Sequence, residues 1–448
     1  MSVVASDRLV DQLREAVHPL TGAGIDYTPL LKRISDARYV LLGEATHGTH
    51  QFYRARAEIT KRLILEKGFN VIAWEADWPD ALRIHRYIQG RGQDSTALEA
   101  LGEFKRFPRW MWRNADILDL VGWLREHNDH LGPKTPKVGV YGLDLYSLHS
   151  SIEAVVSYLE KTDPQAAKQA RRRYACFEDF GENPEIYGMT AGVDQSLSCE
   201  EEVVQQLVEL QHRTGELLSR DGRVASDELF FAKQNAAVAL EAERYYRAMY
   251  RGRPNTWNLR DTHMADTLDR LMDHLSSQRE NPKAIIWAHN SHLGDARATT
   301  MQQRREVNIG QLVRERHGPE AVLVGFTTFS GSVSAASDWG APVERKQVRP
   351  ALRESWERLF HEMDIPNFLL LMDQPAELAQ KLSRDRLERA IGVIYLPKSE
   401  RVSHYFYARL ARQFDAVIHF DETRAVEPLE RTSEWEKGEL PETYPSAL

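Results

Sequence analysis

Two cysteines in 448 residues are too few for a disulfide framework, and the spacing of Cys176 and Cys199 matches no metal-binding pattern. The simplest expectation is two reduced thiols in a cytoplasmic protein. A basic excess is missing as well: 58 Lys and Arg stand against 66 Asp and Glu, a formal charge of −8. Such a chain has little with which to neutralise phosphates, which argues against nucleic acid and anionic membrane as partners. No apolar run approaches the ~20 residues that a bilayer span requires. At the N-terminus Leu9, Leu13, Val17 and Leu20 recur at helical spacing. That pattern predicts an amphipathic helix and no signal peptide.

Several catalytic signatures are also lacking. No GxSxG elbow occurs, and neither cysteine has a plausible base beside it, so a covalent nucleophile is not visible. Without GxGxxG after the first strand, and without GxxxxGK[ST], dinucleotides and nucleoside triphosphates have no usual cradle. An HExxH helix is absent too, which leaves a divalent metal possible but without a ligand signature. No cofactor is expected.

What the chain does contain is a series of short runs rich in Val, Ile and Leu: 38–43, 70–76, 137–145, 283–290, 321–329, 368–373, 390–396 and 416–421. Continuous apolarity without alternation predicts strands covered on both faces. Helical patterns lie between most of them, as after the first run, where Phe52, Ile59 and Leu63 share one face of a helix reaching about Lys67. The fold class is therefore α/β: a three-layer, mainly parallel sheet flanked by helices. From 150 to 282 no strand pattern appears. Ser198 with Glu201 reads as a capping box before Val203, Leu207 and Leu210, and Met264, Leu268, Leu271 and Leu275 form a helical stripe. The expected organisation is a core over 1–149 and 283–430, a helical insertion or lid over 150–282, and an extended tail over 431–448.

Polar residues follow five of the apolar runs: Glu44 and His47, Glu75 and Asp77, Asp144, His289 and His292, then Thr327, Thr328 and Ser330. Ligands of open α/β sheets bind outside the carboxyl ends of the strands, so this recurrence marks a site. Arg56 falls on the buried face of the helix after Glu44, while Arg54 points to water. An inward guanidinium requires an anionic partner, for which Glu44 and Glu75 are the candidates. Asp77 also suits the cap of the helix starting near Pro79. Trp110 and Trp112 in RWMWRNAD read as core residues that could line an apolar pocket. Asp144 and Tyr146 are further candidates for holding a substrate, and His50 and Gln51 read as supporting or surface residues.

The segments GEATHGTHQFYRARAEI, VIAWEADWPDA, GLDLYSL, NLRDTHMADTL and AHNSHLGDARAT resemble the erythromycin esterase family, over most of the chain from about residue 30 to the ETYP near the end. The resemblance implies an α/β core with a helical region and lactone hydrolysis with a histidine as general base. It places the family's functional positions on Glu44, His47, Arg56, Glu75, His289 and His292. Gln51 departs from the pattern, since many relatives carry an acid there. WMWRN and GLDLYSL are closer to the general esterase-like branch than to the macrolide-resistance enzymes. The expectation is thus a hydrolase of a small-molecule ester or lactone, with His47 activating water, Glu44 or Glu75 orienting it, and Arg56 with one of His289 or His292 stabilising the oxyanion or protonating the leaving group. The alternatives are a metal-dependent hydrolase using the same cluster, and a binding protein without turnover.

Overall fold

In the computed structural model, which describes residues 3–180, 183–212, 214–251 and 256–437, seven of the eight apolar runs become strands. In chain order the strands are β1 (His18–Pro19), β2 (Tyr39–Leu42), β3 (Val71–Asp77), β4 (Gly139–Asp144), β5 (Ala284–Trp287), β6 (Ala321–Ala335), β7 (Glu344–Val348), β8 (Asn367–Leu371), β9 (Arg386–Arg389), β10 (Tyr405–Ala408) and β11 (Ala416–Thr423). The chain forms two compact units. One comprises Met1–Ile72, Arg86–Gly139 and Lys283–Leu448; the other comprises Ala73–His85 and Val140–Pro282.

The first unit holds a mixed sheet in the order β1-β8-β11-β6-β2-β5. Its centre is parallel, with β2 between β5 and β6 and with β11 on the far side of β6. β8 and β1 add antiparallel strands at one end, and β7 runs antiparallel to the second half of β6. All four residues of β2 and of β5 are buried, which explains their unbroken apolarity. The helix His50–Lys67 follows β2 and buries Phe52, Ile59 and Leu63, as the spacing predicts; Gly68 ends it in the left-handed conformation.

The eighth run, 390–396, departs from expectation because it is not a strand. Ile391 makes one isolated parallel bridge to Thr46, donating to the Ala45 carbonyl and accepting from His47 N–H. Its apolarity comes from packing instead: Ile391 and Tyr395 join Val333, Ala335 and Val348 in one buried cluster. The C-terminal segment also differs from an extended tail. Ser433–Lys437 forms a short helix that buries Trp435, whose indole donates to Ser334 Oγ at 2.7 Å. The remainder of the expected tail, 438–448 with its ETYP, lies outside the described residues.

In the second unit β3 and β4 are neighbours, and the rest is helical, including Leu148–Thr162, Pro164–Tyr174, Pro184–Val193, Glu200–His212, Thr214–Arg251 and Thr256–Ser276. Leu148, Val155, Leu159, Ala170, Tyr187, Val203, Leu210 and Ala239 belong to its apolar core. The Met264 to Leu275 stripe is buried as expected. The Ser198–Glu201 capping box is not formed: Ser198 accepts from Glu200 N–H and donates to the buried Glu243 instead. The two cysteines are not free thiols either. The turn 175–180 packs at the start of the helix Glu200–His212, and Cys176 and Cys199 pair as a disulfide with Cα atoms 6.0 Å apart. A separation of 23 residues hides that pairing in the sequence, because only the helical packing closes it. The pairing removes one ground for the cytoplasmic expectation. Among the described residues no helix is long and apolar enough to cross a membrane.

Candidate functional site

The turn after β2 is built around two glycines. A Cβ on Gly43 would lie 2.2 Å from Asn290 Oδ1, and one on Gly48 would lie 1.9 Å from the Ser334 carbonyl oxygen. Between them Glu44, Thr46 and His47 are buried at the carboxyl end of the strand. The Glu44 carboxylate is shared by two partners. Oε1 lies 2.8 Å from His47 Nδ1, and Oε2 accepts from Arg56 Nη2 at 2.5 Å. Of the two carboxylates that were candidates to orient His47 and pair with Arg56, Glu44 does both.

Arg56 is fully buried, with its guanidinium over the rings of Tyr53 (4.5 Å) and Trp287 (4.6 Å). Those faces compensate part of its desolvation. Its Nε and Nη1 make no hydrogen bond among the described residues, so the charge is directed at Glu44 and enclosed by aromatics. The Tyr53 hydroxyl lies 2.8 Å from both the His47 and Met111 carbonyls and ties this helix to the turn.

A second imidazole stands beside the first: the His47 and His289 ring centroids are 4.9 Å apart, at 50°. His289 caps the one-turn helix Asn290–Leu293, its Nδ1 accepting from Ser291 N–H at 3.2 Å. A backbone N–H can only donate, so this contact places the His289 proton on Nε2. His47 has the opposite tautomer, since Nδ1–H donates to the carboxylate and leaves the Nε2 lone pair available. One ring therefore presents an acceptor and its neighbour a donor. His292 is buried one turn further on.

The other candidates make the following contacts. Glu75 and Asp144, at the ends of β3 and β4 in the second unit, converge on Arg260, a residue sequence reasoning missed. Arg260 reaches Glu75 Oε1 at 2.6 Å and both Asp144 oxygens at 3.0 and 2.7 Å, with its guanidinium 5.0 Å from the Tyr146 ring centroid. Burial works against that charge, but Asp144, Tyr146 and Glu75 outweigh it and hold the guanidinium well above its ordinary pKa. Its signal was the motif NLRDTHMADTL, whose arginine had no assigned partner. Tyr146 stacks edge-on against Tyr245. Trp110 and Trp112 are buried, Trp112 against Phe104. His50 pairs with Asp116 at 2.8 Å and Gln51 accepts from Arg424 N–H, both supporting contacts. Thr327 contacts His419 and Thr328 contacts Thr423, within the β6–β11 pair. Among the described residues, no three or more His, Cys, Asp or Glu side chains are grouped to hold a metal ion.

Residues 64–423 match the family model described as Erythromycin esterase. Erythromycin esterase type II of Escherichia coli is 21% identical over 421 residues, which cover 90% of this chain and 93% of that protein. The putative hydrolase YbfO of Bacillus subtilis (strain 168) is 20% identical, over 92% of this chain and 90% of its own. Among solved structures, a mutant of the erythromycin esterase EreC in its open conformation superposes with a TM-score of 0.67 at 19% identity, over 92% of this chain and 96% of that one.

Proposed function

The chain belongs to the erythromycin esterase family, and from that premise we propose that it hydrolyses an ester or lactone of a small molecule with water activated by His47. The observation that carries the proposal is the buried chain Arg56–Glu44–His47 with His289 alongside. Glu44 fixes the His47 ring and offsets the charge that forms on it when Nε2 takes a proton from water; Arg56 holds that carboxylate in place. The resulting hydroxide attacks the carbonyl carbon. His289, with its proton on Nε2, is the donor placed to stabilise the tetrahedral oxyanion or to protonate the departing alkoxide. Arg56 has a different role from that of an oxyanion donor, because its guanidinium is enclosed between Tyr53 and Trp287.

The test is turnover of a panel of esters and lactones, macrolides included, by the parent and by His47→Ala. General-base catalysis contributes ~100- to 10,000-fold, so the variant is expected to lose that much turnover while keeping its fold. Near-parent turnover in a folded His47→Ala would remove His47 as the base. A parent inactive on every member of the panel would count against the hydrolase reading itself.

A further inference from the structure

Resting on the hydrolase reading above, the turn that carries His289 raises a separate question, namely what holds it against Glu44 and His47. The ladder between β2 and β6 stops early. Leu42 pairs with Val324, Gly43 N–H donates to the Val324 carbonyl at 2.8 Å, and then the chain curls away into the Glu44–His47 turn. A parallel neighbour would next satisfy the N–H and carbonyl of Phe326 on β6. The fully buried side chain of Asn290 does so instead. Its Oδ1 accepts from Phe326 N–H at 3.2 Å, and its Nδ2 donates to the Phe326 carbonyl at 2.7 Å. An asparagine amide carries the same donor and acceptor as a peptide group, so it continues the ladder where the backbone has left it.

Three further contacts fit this role. Asn290 N–H donates to the Glu44 carbonyl at 2.8 Å, which fastens the histidine turn directly to the carboxylate residue. The second proton of Nδ2 finds Glu388 Oε1 at 3.2 Å, on the β9–β10 hairpin. Gly43, which a methyl group would drive into Oδ1, is the opening through which the amide crosses β2 to reach β6. The Asn290 side chain is thus locked on both sides of the chain that it crosses.

We propose that Asn290 is a positioning residue: its amide replaces the missing strand residue beside Phe326 and thereby sets the His289 turn against the Glu44–His47 turn. It acts through these histidines and does not touch substrate. The role needs a donor and an acceptor in one planar group. Aspartate keeps the shape but presents oxygen to the Phe326 carbonyl, a repulsion relieved when the new carboxyl takes up a proton. The surrounding titratable groups are Glu388, Glu357 beyond it, Arg389 beside it, and Glu44, His289 and His292 along the two turns.

The experiment compares Asn290→Asp and Glu388→Gln with the parent by imidazole 15N NMR of the free protein and by kcat and KM. Asn290→Asp is expected to displace the His47 and His289 resonances at alkaline pH and to lower kcat by roughly 100-fold, the scale of a small misplacement in an active site. KM should change little, and lowering the pH should bring both spectrum and kcat back to those of the parent at the same pH. Glu388→Gln, which still offers an oxygen to Nδ2, should resemble the parent in both. Parent-like imidazole resonances in folded Asn290→Asp overturn the proposal, whatever the kcat or melting temperature. Should that variant not fold, Asn290→Ser is read by the same spectra. The spectra need no substrate, so a parent without turnover would sink the hydrolase reading and leave this test standing.

Discussion

At Arg56 the cost of removing one side chain differs from the cost of removing its neighbour. Replacing Arg56 by methionine leaves the Glu44 carboxylate buried with only His47 as partner. Breaking a buried pair from one side costs about 3 to 5 kcal/mol, so Arg56→Met should shift the urea midpoint strongly, while His47→Ala should shift it little and lose turnover. Equal midpoints for the two variants would contradict this division of roles. Arg56 was legible in sequence because helical spacing alone puts it on the face of Phe52 and Leu63. Arg260 was not, because its partners come from two strands more than a hundred residues upstream. Asn290 was hidden differently: it stood between two histidines, and only the end of the β2 ladder shows that an amide is needed there.

Elements were read most reliably where burial was two-sided. β2 and β5 appear in sequence as plain apolar runs because every residue of each is buried, whichever face of the sheet it points to. The run 390–396 has the same composition and no ladder, since apolar composition reports burial and not hydrogen bonding. The β9–β10 hairpin escaped notice for the reverse reason, as a polar strand, RLER, whose Glu388 and Arg389 are fully buried. Burial, and next the nearby Glu357, push the Glu388 carboxyl up to about 8. The folded hairpin therefore keeps a proton that the unfolded chain releases in the ordinary carboxylate range. Between those pH values the folded state binds more protons, so this contribution is complete below the carboxylate range and is lost as pH rises towards 8. Urea unfolding of the parent should show stability declining over that interval relative to Glu388→Gln. Parallel pH profiles for the two proteins would mean that Glu388 is ionised in the folded state.

On the scale of the whole molecule, the alternation of strands and helices announced an α/β chain, but not that each unit is assembled from separated pieces. Residues 73–85 carry no compositional mark of belonging with the helices that begin some sixty residues later. The disulfide lies within the helical unit and closes a loop between residues 23 apart. Loop-closure entropy puts its contribution at about 3 kcal/mol. Reductant should therefore lower the unfolding free energy of that unit by this order. Intact mass without reductant should be two hydrogens lighter than with it. Equal masses would leave the cysteines as thiols.

The discontinuity also bears on how the chain is made. β2 leaves the ribosome early, yet its ladder partners β5 and β6 begin only at Ala284 and Ala321. At roughly 5 to 20 residues per second, an apolar strand is held without neighbours for on the order of 10 to 50 s. The helical segment 140–282, with its local contacts, is complete before either partner appears. The nascent sheet is therefore the part of this protein most exposed to aggregation, and the part for which a chaperone would matter.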